Sequence, residues 1–251
     1  MSDTIERFSN RVENYAKYRP DYPRQILTLL SRECGLTRDS VIADIGCGTG
    51  LSTEMFLANG NRVFGVEPNA AMRATAIKHL ARFPWFIAVD GKAEATNLDH
   101  SSTDIVVAAQ AFHWFDPEGT RAEFKRILKP GGFVVLIWNE RQLDTTPFLT
   151  EYEAFLLKYA TDYTKVRHEN TDAASLKRFF EKEPASATLD NMQVFGFEEL
   201  RGRMLSSSYM PDENSAVYPV MIDELKTLFA KHNERGKIKV LYDTNIYYAQ
   251  I

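Results

Sequence analysis

The sequence predicts an α/β fold with a doubly wound, mostly parallel sheet of seven strands, an antiparallel C-terminal edge strand and a helical insertion. Two observations lead to this prediction. The first 140 residues alternate short apolar runs with amphipathic stretches, which is the pattern of parallel strands connected by helices. The apolar runs are continuous rather than alternating, as expected for strands that are buried on both faces.

The first half of the chain is predicted to supply five strands with helices between them. The strands are expected at 41–46, 62–67, 85–90, 104–109 and 133–138. The helices are expected at 21–34, 51–59, 69–81 and 117–128. Local signals support these boundaries, because Gly60 is suited to end the second helix and Asn69 to cap the third. The turn at 129–132, which contains proline and two glycines, should stop the fourth helix.

The second half of the chain is predicted to begin with helices and to end with strands. Residues 140–193 are rich in aromatic side chains, most of which we expect in the core: Phe148, Tyr152, Phe155, Tyr159, Tyr163, Phe179 and Phe180. Two strands at 198–209 and 237–251, separated by a helix at 215–232, are expected to form the antiparallel edge. The predicted divisions are a core with an N-terminal segment at 1–140, a helical insertion at 141–193 and C-terminal strands with a helix at 194–251.

Composition and charge narrow the classes of function. Of 251 residues, 44% are hydrophobic and 25% charged, which is ordinary for a globular protein. The net charge of −4 gives no overall attraction to phosphates, so no nucleic acid partner is expected. The N-terminus lacks the apolar core of a signal peptide, and no stretch approaches the roughly 20 apolar residues of a membrane span. A cytoplasmic protein without membrane contact is expected. Cys34 and Cys47 are not spaced as metal ligands, and no metal is expected.

The most informative segment, Asp44–Gly50, leaves a predicted strand and opens a predicted helix. Glycines suit such a loop because the backbone must turn sharply and pass close to a ligand, and the helix behind it offers free amide groups. Glu67 ends the following strand, where a carboxylate can accept both hydroxyls of a ribose. The segment therefore indicates a cofactor that contains ribose.

The glycine spacing indicates which cofactor. A nicotinamide site requires G-x-G-x-x-G, but here the third glycine of Gly46, Gly48 and Gly50 comes one residue early. Asp44 lies two positions before the first glycine, where its carboxylate would repel a pyrophosphate but could hold an ammonium group. Both departures favour S-adenosylmethionine over NAD.

The segment DIGCGTG resembles the first motif of the class I S-adenosylmethionine-dependent methyltransferases. Over residues 8–140 the resemblance continues through FGVEPNAAM, GKAEATNL, DIVVAAQAFHWFD and FKRILKPGGFVVLIW. The segments YAKYRPDYP and YDTNIYYAQI resemble a small-molecule branch of the family that includes trans-aconitate methyltransferases. The resemblance implies a Rossmann-like fold, an N-terminal lid and a small-molecule acceptor, such as a carboxylate or a hydroxyl, on a monomer or homodimer.

The resemblance also implies the cofactor contacts. They are Tyr18, Arg19, Asp44, Gly46, Gly48, Gly50, Glu67, Pro68, Met72, Ala93, Glu94, Gln110 and Ala111. The glycines and Asp44 should line the methionine part, and Glu67 the ribose, flanked by Pro68 and Met72. Ala93 and Glu94 should lie near adenine, although Lys92 stands where the family often has an acid. Gln110 and Ala111 should border the sulfonium, while Tyr15, Tyr18 and Arg19 close over the methionine carboxylate. Arg19 is equally suited to a structural ion pair.

Four residues are candidates for the acceptor side. His113 and Trp114 follow the fourth strand, outside the carboxyl ends of the strands, where ligands bind in this fold class. His113 is a candidate catalytic base, or it braces the loop. Trp138 and Asn139 end the fifth strand and are, with Trp114, candidate substrate contacts.

Alternative functions remain open from the sequence. One is a nicotinamide-dependent oxidoreductase, and another is a binding module that senses S-adenosylmethionine without turnover. A protein or RNA methyltransferase would need a basic or peptide-binding surface that the sequence does not indicate. A small-molecule methyltransferase is the function that the sequence favours.

Overall fold

The structure is a computed structural model that describes residues 17–161, 173–207 and 209–251. These residues divide into two compact units. The core unit comprises 21–139, 173–189 and 244–251. The accessory unit comprises 17–20, 140–161, 190–207 and 209–243. Tyr15 and Tyr163 lie outside the described residues.

The sheet has seven strands in the order β3-β2-β1-β4-β5-β7-β6. The strands are β1 (Val41–Ile45), β2 (Arg62–Val66), β3 (Phe86–Val89), β4 (Thr103–Ala109), β5 (Leu128–Arg141), β6 (Ala185–Phe195) and β7 (Ile238–Gln250). From β3 to β5 every neighbouring pair is parallel. The remaining two are antiparallel edge strands, with β6 outermost. Because the chain order reverses between β1 and β4, the carboxyl ends of these strands form the switch point at which such folds bind ligands.

One described helix precedes β1, and the others lie between strands in chain order. They are α1 (Gln25–Cys34), α2 (Leu51–Asn59), α3 (Ala70–His79), α4 (Pro117–Ile127), α5 (Pro147–Tyr159), α6 (Ala173–Phe180), α7 (Phe197–Leu205) and α8 (Tyr218–His232), with a short 3₁₀ helix at Phe112–Trp114. Among them, no helix has the length and hydropathy needed to cross a membrane.

Two of the predicted helix boundaries are confirmed by their capping geometry. The side chain of Asn69 accepts hydrogen bonds from the amides of Ala71 and Met72, which are two of the unsatisfied donors at the start of α3. Gly60 ends α2 with a φ of 101°, which favours glycine, and its amide bonds back to Leu57 and Phe56.

The core unit buries both faces of its central parallel strands, as the continuous apolar runs predicted, whereas the edge strand β3 is only partly buried. In β4, Ile105 and Val107 belong to one apolar cluster, while Val106 and Ala108 belong to the other. Residues of α1 and α2 fill the first cluster, and residues of α4 and α6 fill the second. Alternate side chains of one strand therefore pack against helices on opposite faces, which fixes the strand register.

Two predicted elements of the second half are wrong. The helical insertion at 141–193 contains a strand, because β6 occupies 185–195. Its exposure alternates along the chain, as in an edge strand with one solvated face, so its apolar content is low. The strand expected at 198–209 is instead α7, where Leu200 and Met204 are both buried on one helical face. In the core unit, β5 begins earlier than predicted, at Leu128, immediately after α4.

Candidate active site at the switch point

The glycine loop between β1 and α2 combines left-handed backbone with close packing. Gly46, Gly48 and Gly50 have φ values of 69°, 57° and 91°, which glycine adopts without steric penalty. A Cβ atom on Gly46 would lie 2.7 Å from the Cβ of Ala111, and one on Gly50 would lie 2.7 Å from Cδ1 of Leu80. A Cβ atom on Gly48 would meet nothing within 4 Å. Gly46 and Gly50 thus allow close packing against neighbouring side chains, whereas Gly48 faces open space in which a ligand can approach the backbone.

Asp44 is a fully buried carboxyl group at the base of this loop. Its Oδ2 accepts hydrogen bonds from the hydroxyls of Ser52 (2.7 Å) and Thr53 (2.6 Å). Its Oδ1 is buried and has no hydrogen-bond partner in the described part of the chain. Burial raises the pKa of Asp44 to about 6, although both hydroxyls act to lower it. A buried carboxylate without a cation is unfavourable on its own, so this position fits a ligand that brings a positive charge or an N–H donor.

Glu67 directly follows β2 and is held between the glycine loop and α3. Its Oε2 accepts the amide of Gly48 at 2.9 Å, and its Oε1 accepts the amide of Asn69 at 2.8 Å. Each carboxylate oxygen keeps a further acceptor position, so the pair can still receive two hydroxyls. Burial raises the pKa of Glu67, more strongly than the two amides and Arg73 lower it. The side chain is therefore fixed in place and suited to a diol such as ribose.

Gln110, at the end of β4, is strained and only partly satisfied. Its φ of 56° lies in the left-handed region, which costs a residue other than glycine about 1–2 kcal/mol. Its amide donates to the Ile137 carbonyl (2.8 Å) and its Nε2 to the Asn139 carbonyl (2.9 Å). Its Oε1 is buried without a hydrogen-bond partner among the described residues. Strain and an unused acceptor at the same position are typical of a functional site.

Comparison with known proteins agrees with this geometry. A family model described as a methyltransferase domain matches residues 43–136, which run from β1 into β5. A methyltransferase-like protein of Schizosaccharomyces pombe, described as uncharacterised, is 28% identical over 244 residues, covering 96% of this chain and 93% of that protein. A methyltransferase of Mycobacterium tuberculosis, also described as uncharacterised, is 35% identical over 134 residues, covering 53% of this chain and 52% of that protein. Together these matches support a class I S-adenosylmethionine-dependent methyltransferase.

A solved structure supports the fold of the methyltransferase along nearly the whole chain. The structure of a proposed type II methyltransferase from Anaeromyxobacter dehalogenans superimposes with a TM-score of 0.70 at 20% identity, covering 93% of this chain and 98% of that one. The methyltransferase domain and the methyltransferase relatives support an enzyme of this class, rather than a nicotinamide-dependent oxidoreductase or a module without turnover.

His113 and Trp114 lie in the 3₁₀ helix that follows β4 of the methyltransferase. Their ring centroids are 4.7 Å apart, and Trp114 is 43% exposed. Burial lowers the pKa of His113 to about 4, so the imidazole is neutral at neutral pH. A neutral imidazole can accept a hydrogen bond, but a base with such a low pKa takes up a proton weakly.

The predicted ribose and adenine contacts differ in exposure. Pro68 is exposed, whereas Met72 and Ala93 are 6% and 4% exposed. Glu94 already has a structural partner, since its Oε1 accepts the amide of Asp116 at 3.0 Å, at the start of α4. The carboxylate of Glu94 therefore supports that helix whether or not it also reaches adenine.

Trp138 and Asn139, the two candidate substrate contacts in β5, are both buried in the core unit. Trp138 is 2% exposed, and its ring meets Phe112 and Tyr247 edge-on at 6.3 and 5.9 Å. Asn139 is 6% exposed, and its Oδ1 accepts the hydroxyl of Thr244 at 2.6 Å. Both side chains have partners within the core unit, and their contact with an acceptor stays a prediction.

Tyr18 and Arg19 belong to the accessory unit. The ring of Tyr18 lies against Gly202, where even a Cβ atom would collide with it. The side chain of Gln193 donates to the Tyr18 carbonyl at 3.2 Å, and Nη2 of Arg19 donates to the Ser206 carbonyl at 3.3 Å. The contact of Tyr18 and Arg19 with the cofactor stays a prediction.

Sequence reasoning missed three polar residues near the glycine loop. Ser52 and Thr53 hold Asp44, and the hydroxyl of Thr49 is buried without a hydrogen-bond partner in the described part of the chain. A signal was available, because hydroxyl residues in the first turn of a helix that follows an acidic strand end can reach back to that acid.

Proposed function

We propose that the core unit binds S-adenosylmethionine at the carboxyl ends of β1, β2 and β4 and passes its methyl group to a small molecule. The observation that carries the cofactor assignment is the buried Oδ1 of Asp44, which has no hydrogen-bond partner in the described residues. The ammonium group of the methionine end supplies the donor and the positive charge that this oxygen lacks. A pyrophosphate at the same position would place negative charge beside a buried carboxylate.

The rest of the site fits the same cofactor. The open space at Gly48 leaves room for the methionine part, and the free acceptor positions of Glu67 suit the two ribose hydroxyls. The side-chain oxygen of Gln110, at the end of β4, is buried and has no hydrogen-bond partner among the described residues. In the family that the sequence resembles, this end of β4 borders the sulfonium. A partial negative charge there stabilises a sulfonium.

Methyl transfer from a sulfonium depends more on the positioning of the acceptor than on proton transfer. When bound, the cofactor supplies a methyl group on a sulfonium, which is already a good leaving group. The protein must hold the acceptor in line with it, and such orientation reaches effective molarities of about 10⁵–10⁸ M. His113, neutral and with a pKa of about 4, is suited to hold an acceptor by a hydrogen bond. An acceptor that is ionised at neutral pH, such as a carboxylate, needs no stronger base.

A small acceptor is also supported by the sequence. The loop after β4, AAQAFHW, is not the Asn/Asp-Pro-Pro-aromatic loop expected of enzymes that methylate amino groups of nucleic acids. The net charge of −4 disfavours a polyanion.

The test is a calorimetric titration of the purified full chain with S-adenosylmethionine, S-adenosylhomocysteine and NAD. We expect the two sulfur compounds to bind with micromolar Kd, and NAD not to bind. Glu67→Ala should weaken their binding at least about tenfold, because two charge-assisted hydrogen bonds are lost. If a folded protein binds neither sulfur compound, the proposal is wrong.

A further inference from the structure

We infer that Gln110 distinguishes the positively charged sulfonium of S-adenosylmethionine from the neutral sulfur of S-adenosylhomocysteine, and that Asn139 and Thr244 are positioning residues for its amide. The inference rests on the proposed function, because it assigns roles within the same site. All three residues belong to the core unit.

Gln110 directly follows β4 and lies beside the glycine loop. The next residue, Ala111, borders that loop so closely that a Cβ atom on Gly46 would lie 2.7 Å from the Cβ of Ala111. The backbone of Gln110 has a φ of 56°, a conformation that is unfavourable for residues other than glycine and persists only where the surrounding structure imposes it. The fold thus keeps a strained residue next to the loop that we assign to the cofactor.

One hydrogen bond fixes the orientation of the Gln110 amide. Its Nε2 donates to the backbone carbonyl of Asn139 at 2.9 Å. Because a carbonyl group only accepts, the nitrogen must face β5, and Oε1 must point away from that carbonyl. Oε1 is buried and has no hydrogen-bond partner among the described residues. A buried amide oxygen without a donor is unfavourable, so this position is suited to a ligand that brings positive charge.

The sulfur of the cofactor is expected close to this oxygen. In S-adenosylmethionine the sulfur joins the ribose to the methionine chain. A cofactor held by its ribose at Glu67 and by its ammonium group at Asp44 therefore keeps its sulfur along the glycine loop, which Gln110 and Ala111 border.

The two carboxylates cannot distinguish the cofactor from its product by contact. Asp44 is assigned to the ammonium group and Glu67 to the ribose hydroxyls, and methyl transfer changes neither group. Only the sulfur changes, from a sulfonium with a full positive charge to a neutral thioether. The negative end of an oriented amide dipole stabilises the sulfonium and has little effect on the thioether.

The carbonyl that orients Gln110 is itself held through the side chain of Asn139. Asn139 is 6% exposed, and its Oδ1 accepts the hydroxyl of Thr244, in β7, at 2.6 Å. Its Nδ2 donates to the carbonyl of Asp21, before α1, at 3.3 Å. Thr244 is fully buried. These bonds join the end of β5 to two other segments of the core unit, so removal of the Thr244 hydroxyl should loosen the contact that orients Gln110.

The experiment measures the affinities for S-adenosylmethionine and S-adenosylhomocysteine by calorimetry on the purified full chain. The readout is the ratio of the two Kd values, because a general disturbance of the site weakens both affinities together. Gln110→Leu removes the amide oxygen and should shift the ratio about tenfold against S-adenosylmethionine. Thr244→Val keeps the shape of the side chain without its hydroxyl and should shift the ratio about threefold in the same direction. Thr244→Ser keeps the hydroxyl and should retain the wild-type ratio.

Thr103→Val is the matched control. Thr103 is also fully buried, and its hydroxyl donates to the carbonyl of Ile127 at 3.1 Å. It lies at the amino-terminal end of β4, whereas Gln110 follows the carboxyl end. The control substitution should lower the thermal midpoint, as Thr244→Val does, but leave the ratio of Kd values unchanged.

A double variant tests whether Thr244 acts through Gln110. If it does, Thr244→Val adds nothing to the shift in the ratio that Gln110→Leu already causes. Independent contributions from the two residues would instead add.

Thermal midpoints show whether each variant is folded, and Thr244→Ala replaces Thr244→Val if the latter is not. The inference is overturned if Gln110→Leu weakens both affinities equally, if Thr244→Ser or Thr103→Val shifts the ratio as much as Thr244→Val, or if the double variant shows additive shifts. A folded wild-type protein that binds neither compound would reject the proposed function. Binding of both compounds with the same ratio in every variant would retain the function and reject the inference.

Discussion

Two buried carboxyl groups of the core unit lie in opposite electrostatic surroundings. Glu123, in α4, receives two charged hydrogen bonds from Arg126, at 2.6 and 2.7 Å, and two more from the amide and hydroxyl of Thr96. Arg126 and these bonds lower the pKa of Glu123 to about 2. Within the described residues Asp44 has hydroxyl partners but no cation, and burial raises its pKa to about 6. The fold completes the bonding of Glu123, whereas we propose that a ligand completes the bonding of Asp44.

The two groups therefore contribute to stability in opposite pH ranges. The folded pKa of Glu123 is depressed, so its contribution is present above its ordinary value near 4.5 and is lost as the pH falls towards 2. The folded pKa of Asp44 is raised, so its contribution is present below about 3.8 and is lost as the pH rises through 6. At neutral pH one group stabilises the ligand-free protein and the other destabilises it. This difference distinguishes Glu123, which stabilises the fold, from Asp44, to which we assign a role in binding.

The largest expected effect is on cofactor affinity. Asp44→Asn should weaken the binding of S-adenosylhomocysteine roughly 10- to 100-fold, because the ammonium group loses its charged acceptor. Glu123→Gln should leave the affinity within about twofold of wild type. Calorimetry on both variants checks the contrast. Equal losses in the two variants would mean that Asp44 acts through the fold and not by contact.

The next effect is on the free energy of unfolding of the ligand-free protein at pH 7, measured by urea denaturation. Glu123→Gln should lower it by about 2 kcal/mol, since the partly exposed Arg126 loses its counter-ion and the buried Thr96 loses a charged acceptor. Asp44→Asn should not lower it, because the charge that it removes is unfavourable there by up to about 3 kcal/mol. A clear loss of stability in Asp44→Asn would show that the ionised carboxylate already has a favourable partner.

A pH titration sharpens the same comparison. If the bound cofactor requires ionised Asp44, with a free pKa of about 6, the Kd for S-adenosylhomocysteine should rise about tenfold between pH 7 and pH 5. The rise follows from protonation of the free carboxyl group below its pKa. In Asp44→Asn the Kd should be flat over this range. A slope of the same size in the variant would assign it to another group and contradict this interpretation.

Much of the core unit could be predicted because its signals are local. The strand β1 is a continuous apolar run, and the loop that follows requires glycine at three left-handed positions. The edge strand β6 was missed because one of its faces is solvated and half of its residues are polar. The helix α7 was predicted as a strand, since nothing local showed that Leu200 and Met204 point to one face.

Prediction of the site was limited in a different way. The spacing indicated Asp44, the glycines and Glu67, because the glycine loop and the ends of β1 and β2 can be located from the sequence alone. For Trp138 and Asn139, position near the end of a predicted strand did not reveal that both side chains are buried.

The smallest expected effect compares two glycines with similar backbone. Gly35, which ends α1, has a φ of 68° and Gly48 has a φ of 57°, and a Cβ atom on either would meet nothing within 4 Å. Substitution by alanine should therefore lower the free energy of unfolding by a similar amount in both, about 1 kcal/mol. Only Gly48→Ala should also weaken S-adenosylhomocysteine binding, severalfold, because its methyl group enters the space that we assign to the cofactor. Denaturation and calorimetry on the pair separate backbone strain from ligand contact, and unchanged cofactor affinity in Gly48→Ala would move the methionine part of the cofactor away from this loop.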